Sequence, residues 1–204
     1  GCGVGLTFRL GLTVSFGMGK STTAAFFAEA GFRVGDADAA VHRLYEPGQA
    51  AAMAVARLFP SVIDADGRVD RPSLRRQIQS DPAALDRLNA AVHPLVRQDR
   101  AAFLSSHADS PIVLLDIPLL YEAGLAESCD AVAVVSAPPE VQRERVLARG
   151  MSEAEFTLIL SRQMPDNEKR ARADYVIPTT NLEATRAAVK DLLTDIQNRI
   201  DRDA

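Results

Sequence analysis

Apolar and polar positions along the chain fall into short blocks, each closed by a turn residue. Phe8, Leu10, Leu12 and Val14 make an apolar, β-prone run that leads into a loop holding Gly17 and Gly19. A helical pattern follows from about residue 20 to 30 and stops at Gly31, the residue type that closes a helix in the left-handed conformation. Phe32-Arg33-Val34 reads as a short strand running into Gly35-Asp36-Ala37-Asp38. Helical character resumes through His42 and Leu44 until Pro47-Gly48, and a further helix fits residues 49–59. Asp64-Ala65-Asp66-Gly67 is a polar turn; it lacks the third ligand and distal glutamate of a calcium loop. Asp70 and Asp81 each precede a helix start that carries a proline. The helix from 82 is expected to kink or restart at His93-Pro94 before running to about 106.

The runs Ile112-Val113-Leu114-Leu115 and Ala131-Val132-Ala133-Val134-Val135 are continuously apolar, as in strands buried on both faces of a parallel sheet. A helix is predicted over 139–149. Residues 150–173 are helical but polar and arginine-rich, which suits a mobile cover. Tyr175-Val176-Ile177-Pro178 is a last short strand. Leu182, Val189, Leu192, Leu193, Ile196 and Ile200 keep helical spacing in a closing amphipathic helix. Strands alternating with helices predict an α/β fold with a mostly parallel sheet.

The loop between the first strand and first helix carries the most specific chemistry. Gly17-Met18-Gly19-Lys20-Ser21-Thr22 fits the end of the phosphate-loop pattern G-x-x-x-x-G-K-[ST], with a strand before and a helix after. The glycines let backbone N–H groups turn toward phosphate oxygens, and the helix N-terminus points its dipole at the same anion. Lys20 is expected to reach the β- and γ-phosphates and the Ser21 hydroxyl to hold Mg²⁺. The first pattern position is Val14 instead of glycine. A β-branched residue extends the strand and resists positive φ, so the expectation is a recognisable loop with a weakened phosphate grip.

Composition narrows the partners. The 204 residues are 47% hydrophobic and 25% charged, which fits one domain, with or without inserted subdomains, around a real apolar core. The net charge of −4 argues against a nucleic-acid-binding surface. No apolar run is long enough to span a membrane, and Cys2 and Cys129 form no metal or redox pattern, so a reducing cytoplasm is expected. Residues 1–7 do not read as a signal peptide and are expected to be a disordered or expression-derived leader outside the fold.

Asp36 and Asp38 follow the second strand, at the carboxyl edge where open α/β sheets bind ligands. Either could take a proton or hold Mg²⁺ through water, and either could simply cap a helix; Asp36 divides evenly between these readings, whereas chemistry is favoured for Asp38. Asp116 ends a buried strand, the setting of a carboxylate on Mg²⁺, and Glu122 lies six residues on. Arg145 and Arg149 stand four apart on one helical face and are the preferred sources of positive charge over the γ-phosphate. The other basic residues nearby, Arg143, Arg162, Lys169, Arg170 and Arg172, read mostly as a solvated face. His93, one turn before Arg97, reads as structural unless the substrate touches it.

Taken in order, these motifs resemble the dephospho-coenzyme A kinase family over nearly the whole chain after residue 8. The landmarks are Gly11-Leu12-Thr13 before Gly17-Met18-Gly19-Lys20-Ser21-Thr22, and Asp36-Ala37-Asp38 with His42. They continue with Asp66-Gly67-Arg68-Val69-Asp70-Arg71, Leu88-Asn89 with Val92-His93-Pro94, and Asp116-Ile117-Pro118-Leu119-Leu120-Tyr121-Glu122. Gln163-Met164-Pro165, Glu168-Lys169 and Ala173-Asp174-Tyr175-Val176-Ile177 complete them.

The resemblance implies a P-loop fold of the nucleoside-monophosphate-kinase type. Its parts are a five-stranded parallel sheet with helices on both faces, a helical substrate insert over 48–107 and a lid over 145–172. It implies transfer of the γ-phosphoryl group of ATP, with Mg²⁺, to the 3′-hydroxyl of dephospho-coenzyme A, by a protein expected to act as a monomer. By position it implies Asp38 as base, Lys20 and Arg145 as catalytic cations, and Gly17 to Thr22 with Arg149 on ATP. It also implies Ser21 and Asp116 on the metal, and Asp36, His93, Arg97, Leu119, Leu120 and Glu122 near the acceptor. Val14 and Phe16 depart from the family's loop, which usually has glycine and a smaller aliphatic residue there. They leave two alternatives: an impaired, non-catalytic nucleotide-binding protein, or a kinase of another small-molecule acceptor. Gly35, where the family prefers a β-branched residue, is a lesser departure.

Overall fold

The structure, a computed structural model, describes residues 6–203. The leader expected over 1–7 lies outside it except for Leu6, which is exposed, and Thr7, whose hydroxyl donates to the Ala108 carbonyl at 3.1 Å. The chain forms two compact units, one containing residues up to Gly35 together with His107 onward, the other Asp36–Ser106.

In the first unit the strands are β1 (Phe8–Val14), β2 (Arg33–Asp36), β3 (Ile112–Asp116), β4 (Ala131–Ser136) and β5 (Tyr175–Pro178), in the spatial order β2-β3-β1-β4-β5. β1 pairs in parallel with β3 on one side and β4 on the other, and β4 pairs in parallel with β5. Their runs of Val, Leu, Ile and Ala are buried because helices cover both faces. Since β1 is followed in the chain by strands placed on opposite sides of it, the loop after β1 opens into the crevice where the strand order reverses. Leu10, Leu12, Val14, Phe27, Leu114, Val135 and Ile177 share one core with Val189, Leu192 and Ile196 of the closing helix α9 (Leu182–Asp203).

Three other helices of this unit matter for the site: α1 (Lys20–Glu29), α6 (Pro139–Ala148) and α8 (Asp166–Arg172), the last joined to α6 through α7 (Glu153–Ser161). The stretch expected to be a mobile cover is thus partly structural, because Lys169 of α8 has no exposed surface. β2 runs on to Asp36, two residues past the expected end, since Gly35 is accommodated within the strand.

The second unit is helical: α2 (Ala37–Leu44), α3 (Ala50–Leu58), α4 (Arg71–Ser80) and α5 (Pro82–Ser106). Ala51, Val55, Phe59, Leu74, Ala84, Leu88 and Val92 form its apolar core. It begins earlier than residue 48 because α2 packs on α3 and α5. Pro94 does not restart the helix: α5 continues through it. Gly67 turns the polar loop with φ 79°, while Asp64 accepts from the N–H groups of Asp66 and Arg68, so this carboxylate closes a turn. No described helix is long and apolar enough to cross a membrane, and no metal-holding cluster of His, Cys, Asp and Glu occurs among the described residues.

Candidate active site

The loop after β1 is shaped by its glycines and by what packs on them. Gly17 (φ 78°) and Gly19 (φ 88°) both lie in the left-handed region that glycine enters freely, and Gly19 is the N-cap of α1. Space is as restrictive as backbone angle. A Cβ on Gly17 would stand 2.5 Å from Val146 Cγ2, and one on Gly19 would touch Arg145 Nη1 and Thr179 at 3.4 Å. Helix α6 therefore lies directly against the loop.

Val14 occupies no strained position. It is the last residue of β1, paired in register with Val135, and its side chain is 6% exposed within the core. All described residues with positive φ are glycines. The valine extends the strand as expected but points its bulk into the protein, so the loop is built without a glycine at that position. Met18 is likewise buried; its Sδ accepts from the Ala137 N–H at 3.1 Å and its carbonyl from the Thr179 hydroxyl at 2.6 Å. Any contact it makes to a nucleotide runs through its backbone. Ser15 is 2% exposed, and its hydroxyl has no hydrogen-bond partner.

Lys20, expected on phosphate, and Asp116, expected on the metal, are paired with each other. The lysine Nζ lies 2.9 and 3.0 Å from the two carboxylate oxygens, on an aspartate only 2% exposed at the end of β3. Ser21 and Thr22 stand exposed in the first turn of α1. Arg145 reaches the loop too: its guanidinium donates to the carbonyl and the hydroxyl of Thr179, next to Gly19. Arg149, exposed at the end of α6, lines a cavity of about 320 Å³ with Phe16, Val146, Gly150, Met151 and Glu155.

The segment after β3 divides. Leu119 is exposed, but Leu120 is wholly buried and its side chain serves packing. Tyr121 Oη is buried without a hydrogen-bond partner; burial, with a smaller push from the Asp174 carboxylate, raises its pKa above the usual phenol value. Glu122 is engaged within the protein. It pairs with Lys169 Nζ at 3.0 Å and accepts from the Met164 N–H at 3.2 Å.

In the helical unit, Asp36 caps α2 by accepting from the Ala39 N–H at 3.0 Å, the capping role foreseen as one of its two readings. Asp38 lies exposed in the first turn of that helix, two residues beyond β2. His93 and Arg97 are exposed and one turn apart on α5. Arg143, Arg170 and Arg172 pair on the surface with Glu153, Asp166 and Glu168, as a solvated basic face would. The residues that sequence reasoning passed over are Gln142, Gln163, Lys169 and Thr179, all bonded to the loop or to its strand. Gln163 and Lys169 carried a signal as motif landmarks; Lys169, expected on a solvated basic face, is instead wholly buried because Glu122 and the Val14 carbonyl meet it inside.

A glycine-turned loop joining the central parallel strand to a helix, beside a lysine–aspartate pair, defines a P-loop phosphotransferase. The comparisons specify which. The family model for dephospho-CoA kinase matches residues 8–184, and the chain belongs to that family. Curated relatives named dephospho-CoA kinase include one from Cereibacter sphaeroides, 60% identical over 95% of this chain and 98% of its own. Another, from Ruegeria pomeroyi, is 52% identical over 94% and 97%. Among solved structures, TT1252 from Thermus thermophilus superposes with a TM-score of 0.82 at 38% identity, covering 93% of this chain and 98% of that one. Dephospho-CoA kinase from Campylobacter jejuni shares the fold, with a TM-score of 0.66 at 22% identity over 93% and 97%.

Proposed function

We propose that this protein moves the γ-phosphoryl group of ATP to the 3′-hydroxyl of dephospho-coenzyme A, giving coenzyme A and ADP, the last step of coenzyme A synthesis. One observation carries the assignment of roles: Lys20 and Asp116 meet at the loop that opens into the switch point of the sheet. The loop N–H groups and Lys20 hold the β- and γ-phosphates, and Arg145, already against Gly19, adds positive charge as negative charge spreads over the transferring group. Asp38 accepts the proton of the 3′-hydroxyl as its oxygen bonds to the γ-phosphorus and the bond to the β-γ bridging oxygen breaks. The hard oxygen donors of Asp116 and Ser21 suit Mg²⁺, which neutralises phosphate charge when bound. Asp116 and Ser21 would hold the metal, and Lys20, now 2.9 Å from Asp116, would pair with phosphate when the nucleotide is bound. Residues 145–172 act as the lid.

The alternative of a degenerate nucleotide site draws no support from Val14, whose side chain is directed into the core. A mass-spectrometric assay with Mg-ATP and dephospho-coenzyme A tests both the reaction and the base. The unmodified chain is expected to form coenzyme A, and Asp38→Asn to lose about 10²–10⁴ in turnover while ATP affinity holds. Full turnover in Asp38→Asn removes the base; no product from the unmodified chain removes the reaction.

A further inference from the structure

The phosphate loop is held at Phe16 by two glutamine side chains of opposite polarity. Gln142, 5% exposed on α6, donates its Nε2 to the Phe16 carbonyl at 2.6 Å. Gln163, in the turn between α7 and α8, accepts from the Phe16 N–H through Oε1 at 3.2 Å. One bond fixes the peptide before Phe16 and the other fixes the peptide after it.

Peptide planarity turns those bonds into directions. In a trans peptide the C=O and the following N–H point opposite ways, and the described chain has no cis bond. Pulling the Phe16 C=O toward Gln142 therefore turns the Gly17 N–H away from α6. Pulling the Phe16 N–H toward Gln163 likewise turns the Ser15 C=O the other way, where it accepts the Met18 N–H at 3.3 Å and closes the turn. Lys169 adds a third hold, donating to the Val14 carbonyl at 3.2 Å.

We propose that Gln142 and Gln163 are positioning residues that set the phosphate cradle by fixing the two peptides around Phe16. The glutamines preorganise the Gly17 N–H, Gln142 from α6 just ahead of the region read as the lid and Gln163 from the turn between α7 and α8 within it. The consequence for ATP rests on the phosphate-loop reading above.

The opposite polarities supply the test. A glutamate at 163 keeps an acceptor for the Phe16 N–H, whereas a glutamate at 142 sets a carboxylate against a carbonyl. Gln142→Glu and Gln163→Leu are expected to raise the Kd for Mg-ATP about tenfold or more, with Gln163→Glu recovering most of the loss. Should Gln142→Glu fail to fold, Gln142→Met removes the donor without adding charge and carries the same expectation. In ¹⁵N-labelled protein without nucleotide, exchange of the Phe16 amide should quicken in Gln163→Leu and stay slow in Gln163→Glu. Equal affinity losses in the two glutamate variants, or an unchanged Phe16 amide in Gln163→Leu, overturn the clamp. Lys20→Met is the separate control. If it leaves ATP affinity intact, the phosphate-loop reading fails while the amide exchange still judges the clamp.

Discussion

The two units of this chain manage polar groups in opposite ways. Among the described residues, the buried polar and charged side chains, including Asp116, Gln142, Lys169 and Thr179, all belong to the sheet unit. The helical unit buries only apolar side chains and keeps its ion pairs at the rim, as Arg43 does with Asp99. A cradle for phosphate needs N–H groups fixed in direction, and buried hydrogen bonds supply that because each partner is costly to leave unmet. The residues expected to meet the acceptor, Asp38, His93 and Arg97, stand instead on exposed helix faces.

The sharpest way to break this comparison is to remove one cation from each unit. Lys169 has no exposure and pairs with Glu122, whereas Arg43 is 60% exposed in its pair with Asp99. Lys169→Met should lower unfolding free energy by about 3–5 kcal/mol, because it strands the half-buried glutamate. Arg43→Ala should cost less than about 1 kcal/mol. Urea unfolding of both variants decides it. Equal losses would mean that Lys169 contributes no more than a surface charge and that the buried network is incidental.

Val14→Gly sharpens the comparison within the sheet unit. Losing a core side chain and adding a flexible residue at the end of β1 should cost about 2–4 kcal/mol. ATP affinity, measured by titration, should stay close to that of the unmodified chain, because the valine points away from the loop. A gain of about tenfold or more, equivalent to about 1.4 kcal/mol, would show that the valine does weaken the phosphate grip.

What could be seen in advance follows the same division. Buried strands announce themselves as unbroken apolar runs, so β3 and β4 were legible, as was the loop through its glycines and Lys20-Ser21. The seven residues of α8 are almost all polar, and no periodicity marks the one that turns inward; Lys169 is buried only because Glu122 and the Val14 carbonyl meet it there. Gln142 and Gln163 lie twenty-one positions apart and converge on one residue through tertiary packing, which spacing alone does not reveal. On the helical side, Pro94 suggested a kink or a restart, and α5 runs through it as one helix to Ser106.

The smallest effect concerns a polar pair at the border of core and solvent in the sheet unit. The Tyr175 hydroxyl donates to Asp195 of α9, and burial together with that bond pushes its pKa from 10.0 to about 12. A raised pKa means the folded state holds the proton more tightly than the unfolded chain does. The contribution is complete below pH 10 and fades as pH climbs toward 12, since the unfolded tyrosine ionises first. Tyr175→Phe should therefore flatten the fall in stability between those two pH values and change its slope little at neutral pH. Because Arg199 stacks over the same ring and favours the ionised form, Arg199→Ala should leave the onset of the alkaline fall near pH 10 and extend it to slightly higher pH. Thermal unfolding across the alkaline range reads both variants. An alkaline slope unchanged by Tyr175→Phe would assign that region of the pH profile to other groups, leaving the Tyr175–Asp195 bond as a packing contact alone.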